Sequence, residues 1–62
     1  MEDYDSKLKS YKDVSIFYKD NELYKRDVAR YEFYLVQFKL LKEIKYKNML
    51  HALDKILHVI VD

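Results

Sequence analysis

Sixty-two residues make one domain at most, and a chain of that size buries only about 60% of its unfolded surface, so it needs a staple or a partner. With no cysteine there is no disulfide or thiolate metal site, and with neither glycine nor proline the residues that close tight hairpins are missing, which leaves helix over sheet. Twelve basic against eleven acidic side chains give a net charge of +1, too small to draw the whole chain to nucleic acid or an anionic membrane.

The first element is expected over about residues 4 to 19. At 100° per residue Tyr4, Leu8, Tyr11, Val14 and Tyr18 share one side, while Lys7, Lys9, Lys12 and Asp13 lie off it. Asp3 and Asp5 stand where a helix start favours an acidic cap. The apolar phase then jumps between Tyr18 and Leu23, and Asp20 or Asn21 can cap a new helix there.

The second helix is expected over about residues 22 to 47, with two stripes. Tyr24, Val28, Tyr31, Leu35 and Phe38 form one, and Phe33, Val36, Leu40 and Ile44 lie well round the cylinder from it. A helix that is apolar on more than one side is covered on more than one side. In a chain with few helices, that points to a second copy or another protein. The cations near its end, Lys39, Lys42, Lys45 and Lys47, suit a helix C-terminus, and Asn48 can close the helix.

A third helix is expected over about residues 49 to 61, its apolar face formed by Met49, Leu50, Leu53, Ile56, Leu57, Ile60 and Val61, with His51, Asp54, Lys55 and His58 opposite. Its phase matches the Tyr24 to Phe38 stripe. One rod of about 40 residues, ~60 Å long, is therefore the rival to a break. The fold class read here is all-α, a small bundle of two or three helices per chain, completed by dimerisation.

Chemistry is sparse. His51, Asp54 and His58 could approach a metal, but their spacing lacks the four-ligand or i, i+4 pattern of zinc sites and reads as a solvated polar face. Ser6, Ser10 and Ser15 have no histidine nearby in sequence, and a bundle this small has little room for a substrate cavity. No enzyme activity and no cofactor is expected. The apolar runs are too short to span a bilayer, Lys55 is the one fixed cation on the polar side of the last helix, and no secretory signal opens the sequence. A cytoplasmic protein without a membrane partner is expected. Abundant Lys, Tyr, Ile and Asp beside two alanines suggest an AT-rich coding sequence, of phage or mobile-element origin.

Seven tyrosines supply large area with a hydroxyl that tolerates water, a combination common at recognition surfaces. The expected function is a protein-binding or regulatory module that recognises its partner through a helix face. Phe33, Val36, Leu40 and Ile44, with Tyr11 and Tyr18, are the expected partner or dimer interface. The alternative is a nucleic-acid-binding bundle, in which Arg26, Arg30, Lys39, Lys42, Lys45 and Lys47 contact phosphates and neighbouring tyrosines stack on bases. Asp27, Glu32 and Glu43 among those cations argue against it.

Overall fold

The computed structural model describes the backbone of residues 3–61 and the side chains of residues 3–57. It contains three helices and, among the described residues, no strand: α1 Tyr4–Phe17, α2 Glu22–Leu41 and α3 Ile44–Val61. The greatest extent is 33 Å, which excludes the ~60 Å rod and shows α2 and α3 folded back on each other.

Local chemistry sets the boundaries. Asp3 caps α1: its carboxylate accepts from the Ser6 N–H at 3.0 Å and from the Ser6 hydroxyl at 2.7 Å. Those hydrogen bonds hold the Asp3 carboxyl below its ordinary pKa. α1 ends at Phe17, two residues before the expected end. The turn that follows is closed by the Asn21 N–H donating to the Tyr18 carbonyl at 2.8 Å. Asn21 then caps α2, accepting from the Tyr24 N–H at 3.1 Å.

The second break lies elsewhere than the basic run suggests. α2 stops at Leu41, not near Lys47, and α3 starts at Ile44, not at Met49. Lys42 adopts the left-handed conformation, φ 58° and ψ 27°, and its N–H donates to the Phe38 carbonyl at 2.8 Å. This is the helix-ending geometry that glycine usually supplies, and in a chain without glycine a lysine takes it. Asn48 is left inside α3.

The core draws on all three helices. Tyr11 enters from α1, Tyr24, Val28, Tyr31 and Leu35 from α2, and Leu50, Leu53 and Leu57 from α3. The α2 set has the i, i+4, i+7, i+11 spacing of one helix face. Tyr4, Leu8, Val14, Tyr34 and Phe38 pack around it, half-buried. One chain therefore encloses a continuous core. The α2–α3 hairpin makes the most extensive contact, and α1 lies across both helices.

Polar contacts fasten α1. The Tyr11 hydroxyl donates to Asp54 Oδ1 at 2.7 Å, and Lys7 Nζ reaches Oδ2 of the same carboxylate at 3.3 Å. The Tyr4 hydroxyl lies 3.2 Å from His51 Nε2, and Lys39 on α2 meets Asp5 at 2.7 Å. His51 and Asp54 are thus half-buried against α1, a correction to their reading as a solvated face. The side chain of His58, like those of Ile60 and Val61, lies outside the described residues.

Candidate interaction surface

The core stripe of α2 leaves its second stripe pointing the other way. Taking Tyr31 and Leu35 as the inward direction, Phe33, Val36 and Leu40 fall on the opposite side at i, i+3 and i+7. They are 56%, 48% and 71% exposed; Leu41, the last residue of α2, is 52% exposed, and Ile44, the first residue of α3, is 72% exposed. Two isolated apolar side chains on a surface need no explanation. Three on one face of α2, with two more exposed apolar side chains around its end, make this a candidate interaction surface.

Of the interface residues expected from sequence, Phe33, Val36 and Leu40 share this ridge, and Ile44 is exposed at the start of α3. Tyr11 does not. It is buried at 4% exposure, edge-on to Tyr31 with ring centres 5.3 Å apart, and its hydroxyl is bonded to Asp54, so it belongs to the core. Tyr18 stands at the far end of α1, half in solvent and tilted against Tyr24. There it borders a second apolar cluster that sequence reading missed: Ile16, Phe17 and Leu23, all mostly exposed, beside an open depression of about 570 Å³. Leu41 was missed as well, because the end of α2 was placed six residues late.

The six candidate nucleic-acid contacts do not form one patch. Arg26 and Arg30 sit near the start of α2 and share Asp27, at 3.9 and 3.8 Å. Lys39 is engaged with Asp5, and Lys45 with Glu43 at 3.3 Å. Lys42 and Lys47 have no ion pair among the described residues. Along α2, sixteen positions put about 24 Å between Arg26 and Lys42, while Arg30 and Lys45 flank the Tyr34–Tyr46 pair. Tyr24 and Tyr31 are buried and cannot stack on a base.

Tyr34 and Tyr46 have a different role. Their ring centres are 6.2 Å apart across the α2–α3 seam, with the Arg30 guanidinium 5.8 Å from the Tyr34 centroid and Lys45 Nζ 5.1 Å from that of Tyr46. Arg30 also donates to the Tyr34 hydroxyl at 3.5 Å, a contact that raises the arginine's pKa further. Phe33 packs on Tyr34 at 5.7 Å, which joins this ladder to the apolar ridge.

Among the described residues no group of three His, Cys, Asp or Glu could hold a metal ion, and no helix is long and apolar enough to cross a membrane. A cavity of about 230 Å³ between α1 and α3 is lined by Lys7, Tyr11, Asp54 and Lys55. The Asp54 carboxylate there is already taken by Tyr11 and Lys7. Comparison with known proteins finds no matching family model, curated protein or solved structure.

Proposed function

We propose that this chain is a small, non-enzymatic recognition module of the cytoplasm that binds another polypeptide through the outer face of α2. The observation that carries this reading is the Phe33–Val36–Leu40 ridge, which stays exposed although the core is closed without it. Burying it returns roughly 25 cal/mol for each Å² of apolar surface removed from water, and an apolar row at i, i+3, i+7 is how one helix enters the groove of a partner. A second copy, the homodimer expected from sequence, or a different protein would each cover it.

A photo-reactive residue in place of Val36, carried in cells of the native host, tests the reading, with exposed Lys9 on α1 as the control position. A discrete adduct at position 36 and none at 9 is expected. No adduct at 36, or the same adducts at both, contradicts it. The Arg30–Tyr34–Tyr46–Lys45 ladder supports a second reading, nucleic-acid binding, since aromatic faces flanked by cations suit stacked bases.

A further inference from the structure

The ridge is nearly symmetric about its middle residue, and the charges beside it follow the same symmetry. Resting on the helix-face reading above, we infer that its occupant is a second copy of this chain, packed antiparallel along α2 about a twofold axis near Val36.

A twofold contact sets one surface against itself, so each residue must suit the one placed opposite. Phe33 and Leu40 lie three and four positions from Val36 on the same outer face of α2. Rotation about an axis at Val36 therefore brings Val36 to the partner's Val36 and lays Phe33 on the partner's Leu40, to within about 1.5 Å of helix rise. The exposed row of each copy covers the exposed row of the other.

Glu32 and Lys39 stand seven positions apart, hence on one flank of α2, the flank where each meets a residue of α1. Their midpoint falls within one residue of Val36. The antiparallel pair thus brings Glu32 of each copy beside the partner's Lys39, twice. Lys12 already meets Glu32, and Asp5 meets Lys39 at 2.7 Å. Signs then alternate along a row of four: Lys12, Glu32, the partner's Lys39 and the partner's Asp5. A rim of that kind fixes orientation and register more than affinity.

Parallel packing has no such match. It would set Arg26 on the partner's Arg26 along the outer face and leave Lys39 without a carboxylate opposite, which selects against it. In the antiparallel pair Arg26 lies ten positions from the axis, beyond the end of the partner's α2 at Leu41. Arg30, at the edge of the overlap, is drawn over the Tyr34 ring on the α3 side, 5.8 Å from its centroid.

The core of each chain is closed without the ridge, so pairing joins two folded monomers. Three apolar residues on each side place the contact among small, transient interfaces, with a Kd on the order of 100 µM. Far below that concentration the chain is a folded monomer.

Sedimentation equilibrium of the full chain over about 10 µM to 1 mM tests the pairing. The mean mass is expected to rise from 7.7 kDa toward twice that value. Val36→Glu, whose fold is checked by circular dichroism, sets two carboxylates together at the axis and should weaken pairing about tenfold or more. Glu32→Lys alone opposes lysine to lysine, and Lys39→Glu alone opposes carboxylate to carboxylate, so each should weaken it too. An equimolar mixture of these two single variants should pair again, because unlike charges then meet at both places.

A parent chain that stays at 7.7 kDa throughout overturns the second copy. A discrete adduct at position 36 in the host then leaves helix-face recognition standing, and its absence overturns both. A dimer that Val36→Glu leaves intact lies on another face and overturns the inference. So does a dimer that the mixed variants fail to restore, because the antiparallel register is then wrong.

Discussion

Tyr31 sits at the centre of the bundle with 0% exposure, and its hydroxyl has no hydrogen-bond partner among the described residues. Burial raises its pKa, and the nearby Asp54 carboxylate raises it further. The folded chain therefore keeps the phenol neutral at pH values where the unfolded chain has released the proton. Stability from this residue is complete below pH about 10 and is lost as pH rises above it, by up to about 1.4 kcal/mol for each pH unit. Tyr24, also buried with an unpaired hydroxyl, shifts in the same direction. Tyr31→Phe removes an unsatisfied group, so urea unfolding at pH 7 should show a gain of about 1 kcal/mol, and the decline above pH 10 should become shallower. A loss of stability at pH 7 would mean that the hydroxyl does find a partner.

Lys42 is the other residue under local strain. A side chain with a Cβ in the left-handed region costs about 1–2 kcal/mol, and the residue is held there by its N–H bond to Phe38. Lys42→Gly should raise the unfolding free energy by about 1 kcal/mol. An unchanged or lowered value would place the end of α2 elsewhere.

Among the elements, α1 differs in how it is held. Tyrosines supply much of its inner face, and its links to α3 run through Asp54 and His51, whereas α2 and α3 meet largely through leucine, valine and tyrosine packing. Asp54→Ala removes the carboxylate that accepts from Tyr11 and Lys7 and should cost about 1–3 kcal/mol. Amide exchange in α1 should rise more than in α2 and α3. Uniform protection across the three helices would show that α1 is not the weakly held element.

The all-helical class, the inner face of α2 and a break at Asp20 or Asn21 could be read from sequence, because each follows from apolar spacing and a strong capping residue, whereas the number of helices stood at two or three. The break at Lys42 could not, since lysine carries no turn signal and the nearby Asn48 does. The same asymmetry affected the candidate site. Phe33, Val36 and Leu40 stand out as a second stripe on any helical projection. Tyr11 on such a projection looks like Tyr18, and only the meeting of α1 with Tyr31 and Asp54 separates a core tyrosine from an exposed one. Likewise His51 and Asp54 lie opposite the leucine face of α3, and nothing in their own segment reveals that α1 covers them.

At the scale of the whole molecule, eight buried residues among those described, drawn from three helices, close a core inside one chain, and the second stripe of α2 is left over. Expectation from sequence gave that stripe to a second subunit or to another protein. Leu50, Leu53 and Leu57 hold the bundle, and Phe33, Val36 and Leu40 stand outside its core on the surface of the single chain. Truncating a core leucine should accordingly be severe, with Leu50→Ala losing about 2–5 kcal/mol, enough to unfold a domain of marginal size.

Denaturant unfolding of Leu40→Asp, followed at several protein concentrations, tests this division most directly. A carboxylate at a position 71% exposed stays in water, so the variant should match the parent within about 0.5 kcal/mol and show no concentration dependence. A Leu40→Asp chain that is unfolded, or whose midpoint moves with concentration, would contradict it and return the ridge to the structural core of an assembly.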